Sequence, residues 1–225
     1  MLLVPRGTFN MGCSWSNQYG CTSDETPVHQ VTLTNAYYTG RYEVTQAQWQ
    51  AKMGSNPSSF QGYGDSPSRP VERVSWNMIQ SFISATGLRL LTEAEWEYAY
   101  RAGTTTAFHS MPGYPNGTND DNQTAIIAWR DNNSGSQTHA VGGKAANALG
   151  LHDMAGNVWE WVHDWFGGYL FGAQSNPTGS ISGSYRVIRG GAWNGSSGSL
   201  RSSYRYYLTP DIMYGGIGFR VARTP

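Results

Sequence analysis

The feature that most constrains this chain is the combination of many glycines and many large aromatic side chains with few charges. Its 225 residues include 28 glycines and 9 tryptophans, while charged residues make up only 13%. Glycine suits turns and irregular backbone, and large rings bury enough area to hold such backbone in place while keeping a polar atom at the edge. We therefore predict a fold in which loops dominate.

The charge balance and the hydropathy pattern exclude several classes of protein. Lysine plus arginine and aspartate plus glutamate both number 15, so the zero net charge predicts no nucleic-acid partner. No apolar stretch approaches the roughly 20 residues that a membrane span needs. Met1 runs directly into an apolar, strand-like segment without a basic start or a cleavage site. We expect neither a membrane span nor a signal peptide in this chain.

Cys13 and Cys21 are the only cysteines of the chain. Two thiols this close within one loop are compatible with a disulfide, with half of a metal site, or with no bond at all. A disulfide is favoured more strongly in an exported protein. The sequence leaves the pairing and the cellular compartment open.

Three helices are predicted from the residues that cap their ends. A serine or threonine before the helix accepts hydrogen bonds from its first turn, and a glycine after it ends the helix. Thr92 and Glu95 additionally form a capping box. The predicted helices run from Thr45 to about Met53, from Ser75 to Gly87 and from Thr92 to Gly103.

Strands are predicted where apolar and polar residues alternate. These segments are residues 2–11, 28–38, 41–44, 185–188 and 218–222, whereas residues 104–150 are rich in turns. No repeat of fixed period occurs, and no linker separates two cores. We therefore predict a single domain over residues 1–225.

Four groups of motifs follow one another along nearly the whole chain. They are LVPRGTFNMG at 3–12, ETPVHQVTL at 25–33, LRLLTEAEWEYAYRAG at 88–103, and the pair NALGLHDMAGNVWEWVHDW at 147–165 and RVIRGGAWN…GFRVAR at 186–223. In this order they resemble the formylglycine-generating enzyme (sulfatase-modifying factor) family. The resemblance implies an α+β fold of the C-type-lectin-like kind, with little regular secondary structure.

The resemblance also identifies where the enzyme family carries its two copper-binding catalytic cysteines, shortly after a Gly-Gly-Ala-Trp element. Here that element is residues 190–193, and the two cysteine positions hold Gly195 and Leu200. Copper(I) prefers soft sulfur ligands, which glycine and leucine cannot supply. We therefore expect no copper, no catalytic residues and no formylglycine-generating activity.

A calcium site is a second expectation that rests on the resemblance. In family members the GN-x-WEW segment helps to bind calcium, and the matching positions here are Asp153 and Glu160 as carboxylates, with the backbone carbonyls of Gly156 and Val158. Hard oxygen ligands of this kind suit Ca²⁺. The alternative is a sharp turn held by its own hydrogen bonds, without an ion.

Residues 186–223 are predicted to be a variable ligand-binding region, because residues 194–216 resemble the diversified segment of the variable proteins of diversity-generating retroelements. Fixed frame residues alternate there with sites open to mutagenesis, and the frame residues are Leu200, Arg201, Arg205, Pro210, Asp211 and Phe219. The fourteen variable positions are Asn194, Gly195, Ser196, Gly198, Ser199, Tyr204, Tyr206, Tyr207, Leu208, Thr209, Ile212, Tyr214, Gly215 and Gly216.

The composition of the variable positions is typical of a binding surface. Tyrosine supplies rigid contact area, while serine, glycine and asparagine adapt to different partners. If the positions vary, most of their side chains should be exposed and clustered on one face, and Trp193, Leu200 and Phe219 should be buried. The alternative is an ordinary surface loop, since loops tolerate the same residues.

These observations favour a non-catalytic ligand-binding or display protein. Its partner would be an unknown protein or cell-surface ligand, and its location the surface of a cell or phage. One alternative is a sulfatase-modifying-factor-like oxidoreductase, forming formylglycine or a C–S bond without the usual thiols. Another is a sensory or accessory domain of a longer protein. The sequence does not identify the ligand or the oligomeric state.

Overall fold

The computed structural model describes residues 1–13 and 20–225, so most of the loop between the two cysteines lies outside the described residues. Cys13 and Cys21 themselves form a disulfide, with their Cα atoms 5.7 Å apart. The pairing that the sequence left open is therefore a disulfide rather than a metal site.

All three predicted helices form, and each begins at its predicted cap. The side chains of Thr45, Ser75 and Thr92 each accept a hydrogen bond from the backbone amide three residues later. The helices are α1 (Gln46–Met53), α2 (Trp76–Thr86) and α3 (Glu93–Arg101). The third helix ends differently from the prediction, because the left-handed residue after it is Ala102 (φ 47°).

The described residues form eleven short strands in three sheets. They are β1 (Leu2–Val4), β2 (Gly7–Met11), β3 (His29–Leu33), β4 (Tyr37–Thr39), β5 (Arg89–Leu90), β6 (Trp159–Trp165), β7 (Gln174–Ser175), β8 (Arg186–Arg189), β9 (Arg205–Leu208), β10 (Ile217–Phe219) and β11 (Val221–Arg223). The strand orders are β1-β4-β11-β5, β10-β6-β8-β9 and β2-β3-β7. With three helices and long irregular connections, this is the predicted α+β architecture.

Several predicted strands are wrong in extent. The predicted strands 2–11, 28–38 and 218–222 each divide into two short strands that belong to different sheets. Residues 41–44 form no strand; instead the amide of Val44 donates to the carbonyl of Phe219, 2.9 Å away, and its own carbonyl accepts from Val71. Strands β6 and β9 were not predicted. Strand β6 is buried along most of its length and so lacks the alternation of a half-exposed strand.

The interior combines aromatic rings with buried charges. Trp96 and Tyr100 of α3 belong to one apolar cluster, and Trp49, Trp161 and Phe219 belong to a second. Leu90 of β5 and both Trp96 and Tyr100 of α3 are buried. No helix in the described part of the chain is long and apolar enough to cross a membrane.

Candidate ligand-binding surface

The C-terminal segment that contains the variable positions is fastened to the body of the protein by two buried ion pairs. Arg201 contacts both carboxylate oxygens of Glu25 at 2.6 and 2.7 Å, and Arg205 contacts both of those of Glu93 at 2.7 and 2.6 Å. All four side chains are buried. Two of the predicted frame residues therefore hold the segment to distant parts of the chain.

The electrostatics of these pairs favour the charged forms. Burial opposes ionisation of Glu25, but hydrogen bonds from Arg201 and Ser203 outweigh it, so the pKa of Glu25 is lowered. Burial likewise opposes ionisation of Glu93, and the charges of Arg205 and Arg189 reverse the balance, so the pKa of Glu93 is lowered. Each bidentate arginine–carboxylate pair forms two parallel hydrogen bonds, so the two pairs fix the position of the segment relative to Glu25 and Glu93.

A third buried arginine holds the backbone before β9. Arg189 donates to the carbonyls of Ser202, Ser203 and Tyr204 at 2.6 to 2.9 Å and pairs with the carboxylate of Glu97. Arg189 and its acidic partners were not predicted to hold this segment. The chain has few charged residues, but the sequence does not show which of them pair, because the fold brings them together from distant positions.

Most variable positions lie at the surface between these anchors. Six are exposed: Asn194, Ser196, Tyr206, Thr209, Ile212 and Tyr214. Seven are half-buried: Gly195, Gly198, Ser199, Tyr204, Tyr207, Leu208 and Gly215. Gly216 alone is buried, so the expectation that most of these side chains are exposed holds fully at six of the fourteen positions. The carbonyl of Gly216 accepts from the amide of Trp159 at 2.8 Å, and a Cβ there would lie 2.8 Å from the Tyr214 ring.

The expectation that the variable positions share one face is wrong in part, because β9 presents alternate side chains to opposite sides of the sheet. Tyr204 and Tyr206 lie near Trp159, with ring centroids 6.1 and 6.2 Å from its ring. Tyr207 instead packs on Phe166, with the ring centroids 4.0 Å apart. The surface therefore divides at β9 into two parts.

The predicted burial of the frame is confirmed for Leu200 and Phe219, which are fully buried. Trp193 is only half-buried, which corrects the prediction for this residue. Its indole Nε1 donates to the carbonyl of Gly215 at 2.7 Å, and its ring meets Phe60 edge-on at 5.4 Å. Trp193 thus forms part of the surface and positions the backbone of a variable site.

Glycines in this region are of two kinds. Gly190 and Gly191 have φ values of +97° and +74°, which only glycine adopts readily. A Cβ at Gly218 would lie 2.5 Å from the carbonyl oxygen of Val71. The variable positions Gly195 and Gly215 have ordinary φ values. A Cβ at Gly195 would lie 2.7 Å from the hydroxyl of Ser199, whereas a Cβ at Gly215 would have no contact closer than 3.5 Å. The frame glycines exclude side chains, and Gly215 accepts one.

The positions that match the catalytic cysteines contain no sulfur. Gly195 lies in a turn in which its own amide donates to the carbonyl of Ala192. The side chain of Leu200 is fully buried. Both cysteines of the chain are joined in the disulfide between Cys13 and Cys21. The arrangement provides no thiol pair for a copper ion.

Of the four predicted calcium ligands, the two carboxylates are engaged by groups of the protein itself. Both oxygens of Glu160 contact the Arg220 guanidinium at 2.6 to 2.9 Å, and one also accepts from the indole of Trp96 at 2.7 Å. Asp153 accepts from the amide of Gly142 at 2.6 Å, and burial raises its pKa to about 6. A guanidinium therefore takes the place beside Glu160 that a cation would need.

The carbonyls of Gly156 and Val158 lie in the sharp turn that precedes β6. The amide of Gly156 donates to the carbonyl of Gly190, and the amide of Val158 donates to the carboxylate of Glu43 at 3.1 Å. These bonds match the alternative of a turn held by its own hydrogen bonds. Among the described residues, no group of three histidine, cysteine or acidic side chains is placed to hold a metal ion. Calcium binding stays a prediction of the sequence.

Comparisons with known proteins support both resemblances. A family model described as "Sulfatase-modifying factor enzyme 1-like domain" matches residues 1–225. The structure of Treponema denticola variable protein 1 superposes with a TM-score of 0.87 and 31% identity, covering 100% of this chain and 95% of that one. The formylglycine-generating enzyme of Streptomyces coelicolor is 34% identical over 197 residues, which cover 80% of this chain and 59% of the enzyme.

Other relatives are longer proteins of different description. The serine/threonine-protein kinase pkn1 of Chlamydia caviae is 33% identical over 226 residues, covering 89% of this chain and 35% of the kinase. The chain thus spans about a third of the length of this relative. The likeness to a variable protein, by contrast, extends over essentially the whole of both chains.

Proposed function

The chain belongs to the family of sulfatase-modifying factor enzyme 1-like domains, and we propose that within this family it is a non-catalytic display protein whose C-terminal surface binds ligands. The observation that carries the proposal is the alternation within residues 194–216. Six variable positions are exposed and seven are half-buried, all on unstrained backbone, while Leu200, Arg201 and Arg205 between them are buried. A surface that changes its sequence needs this separation, because a packed interior tolerates few replacements.

The fold match to a variable protein supports the same proposal. Treponema denticola variable protein 1 shares 31% identity with this chain over its full length. The aromatic side chains of Tyr206, Tyr214 and Trp193 give the surface rigid contact area with polar atoms at the edge. The ligand we propose is a protein or another cell-surface molecule, and the zero net charge implies no polyanionic partner.

The proposed location is the surface of a cell or phage. The disulfide between Cys13 and Cys21 supports an oxidising compartment, since disulfides persist mainly outside the cytosol.

Two matched libraries test the proposal. The first randomises the six exposed variable positions, and the second randomises six buried positions of the same region (Gly191, Leu200, Arg201, Ser203, Arg205 and Phe219). Both are displayed on yeast and sorted for resistance to protease, and the first is then sorted for binding to a test protein such as lysozyme. We expect most members of the first library and very few of the second to fold, and binders to emerge from the first. If the two libraries lost folding to the same extent, residues 194–216 would be an ordinary part of the fold and the proposal would be contradicted.

The alternative function is a sulfatase-modifying-factor-like oxidoreductase, which the 34% identity with the Streptomyces coelicolor enzyme favours. The residues at the thiol positions, Gly195 and Leu200, argue against it. The assay incubates the protein with a Cys-x-Pro-x-Arg peptide, copper and oxygen, using the Streptomyces enzyme as positive control. We expect no aldehyde above a control without protein, and aldehyde detected by mass spectrometry would favour the enzyme.

A further inference from the structure

Glu72 is a buried acidic residue beneath the variable surface, and only one of its two carboxylate oxygens accepts a hydrogen bond from the described residues. The side chain is fully buried, and Oε1 accepts a hydrogen bond from the amide of Phe60 at 2.9 Å. Oε2 has no hydrogen-bond partner among the described residues. A buried polar atom without a partner is costly and rare in native proteins, so this oxygen requires an explanation.

The surroundings of Glu72 do not supply the missing donor. Burial raises the pKa of Glu72, while the amides of Phe60 and Ser59 and the charge of Arg73 lower it only in part. The Ser59 amide contributes to lowering the pKa of Glu72, but no hydrogen bond to Oε2 forms among the described residues. The guanidinium of Arg73 is directed to the hydroxyl of Ser59, at 3.2 Å. The free oxygen thus stays an acceptor without a donor.

Gly215 lies directly against this oxygen. A Cβ built at position 215 would be 3.5 Å from Oε2 of Glu72 and 3.5 Å from the Phe60 ring, both ordinary contact distances. The backbone there has no left-handed strain, and the carbonyl of Gly215 is held by the indole of Trp193 at 2.7 Å. A side chain at position 215 would therefore fit, and a donor atom one or two bonds beyond its Cβ would reach the free oxygen.

We infer that Glu72 is a specificity-determining residue of the variable surface, whose free Oε2 selects hydrogen-bond donors at position 215 and disfavours acids there. Versions of the chain with Asn, Ser or Thr at position 215 gain a hydrogen bond to a buried carboxylate. An Asp at the same position places a second negative charge beside the first. Position 215 is thereby variable within a restricted chemistry, unlike the exposed positions. This inference rests on the proposed function only in treating position 215 as variable.

The sharpest test compares Gly215→Asn with Gly215→Asp, because the two side chains have nearly the same shape. Thermal melting at pH 8 should give a melting temperature roughly 5 °C higher for the asparagine variant. Gly215→Ala should fall between them. At the exposed position 194, Asn194→Asp serves as the matched control and should change the melting temperature by less than about 1 °C.

A second pair of variants connects the difference to Glu72 itself. In a Glu72→Gln background, the difference between asparagine and aspartate at position 215 should disappear or reverse, because the glutamine amide can donate to either side chain. Equal melting temperatures of Gly215→Asn and Gly215→Asp in the natural background would overturn the inference, even if Glu72→Gln fails to fold. A difference that persists unchanged in the Glu72→Gln background would also overturn it.

The outcome is separate from the fate of the proposed function. The melting comparison requires no ligand, so it can fail while the library of exposed positions still yields binders. Conversely, the pairing of Glu72 with position 215 can hold in a chain whose surface binds nothing.

Discussion

Within the last forty residues, two kinds of glycine stand close together in sequence and differ in what surrounds them. Gly191 has a φ of +74°, and a Cβ there would lie 2.5 Å from the side chain of Leu200. Gly215 has an ordinary φ, and a Cβ there would make only ordinary contacts, none closer than 3.5 Å. Composition does not distinguish them, since both are glycines in a glycine-rich segment. The comparison shows that tolerance to substitution is a property of backbone conformation and neighbours, and it separates frame from variable surface.

The same division applies to side chains. Arg201 and Arg205 are buried in ion pairs that connect the segment to α3 and to the N-terminal region, whereas Tyr206 and Tyr214 reach solvent. The frame should therefore determine stability, and the variable positions should leave it nearly unchanged.

The largest expected effect is the loss of a frame ion pair. Arg201→Met leaves the carboxylate of Glu25 buried without a counter-charge, which should lower the free energy of unfolding by about 3–5 kcal/mol. Arg6→Met, at an exposed arginine outside this segment, is the control and should cost less than about 0.5 kcal/mol. Urea denaturation measures both, and similar losses would remove the distinction between frame and surface.

Acidification should weaken the frame through His109. This buried ring packs against Tyr100, whose hydroxyl donates to the carbonyl of the frame residue Leu200 at 2.6 Å. Burial lowers the pKa of His109 from 6.5 to about 4. Between pH 6.5 and pH 4, the unfolded chain therefore binds a proton at His109 that the folded chain does not bind. The free energy of unfolding should keep its full value above pH 6.5 and fall by about 3 kcal/mol as the pH drops to 4.

His109→Gln tests this dependence, because glutamine does not titrate. Whatever its stability at pH 7.5, the variant should lose less stability than the natural chain between pH 7 and pH 4.5. Parallel urea titrations across that range give the two slopes, and equal slopes would assign the acid sensitivity to other groups.

The two glycines provide a direct comparison of intermediate size. Gly191→Ala should destabilise the protein by about 1–3 kcal/mol, because alanine is strained at positive φ and its Cβ would meet Leu200. Gly215→Ala should be neutral, or stabilising by up to about 1 kcal/mol through the unfolded state. Thermal melts of the two single variants suffice, and a reversed order would contradict the assignment of frame and surface.

Tyrosine variants test whether β9 separates the variable positions into two groups on opposite sides of the sheet. Tyr206→Ser and Tyr214→Ser should each change the free energy of unfolding by less than about 0.5 kcal/mol, because both side chains are exposed. Tyr207→Ser should cost about 1 kcal/mol or more, since its ring packs on those of Phe166 and Tyr185. Equal small effects at all three positions would restore a single variable face.

The smallest expected effect concerns calcium. If Arg220 rather than an ion neutralises Glu160, melts with millimolar Ca²⁺ and with chelator should coincide. A calcium ion that binds only the native state would instead add about 2.7 kcal/mol at a hundredfold excess over its Kd. Such a rise, confirmed by metal analysis of the purified protein, would support the calcium prediction of the sequence.

The parts of the structure that were predictable are those that depend on local sequence. Thr92 and Glu95 cap α3 because the atoms they join are three residues apart, and nothing distant is needed to form those bonds. The starts of α1 and α2 follow in the same way from Thr45 and Ser75. The family motifs identified the fold, and the residues at positions 195 and 200 identified the missing thiols.

The tertiary structure alone decided which residues meet. Arg201 and Glu25 are 176 positions apart, and β10 pairs with β6 in parallel across a long intervening segment. The side of β9 on which Tyr207 lies, the partial exposure of Trp193 and the free oxygen of Glu72 beside Gly215 all depend on such distant contacts. Helix caps are local hydrogen bonds that a short sequence specifies. Burial and ion pairing depend on packing between distant segments, so only the folded chain shows them.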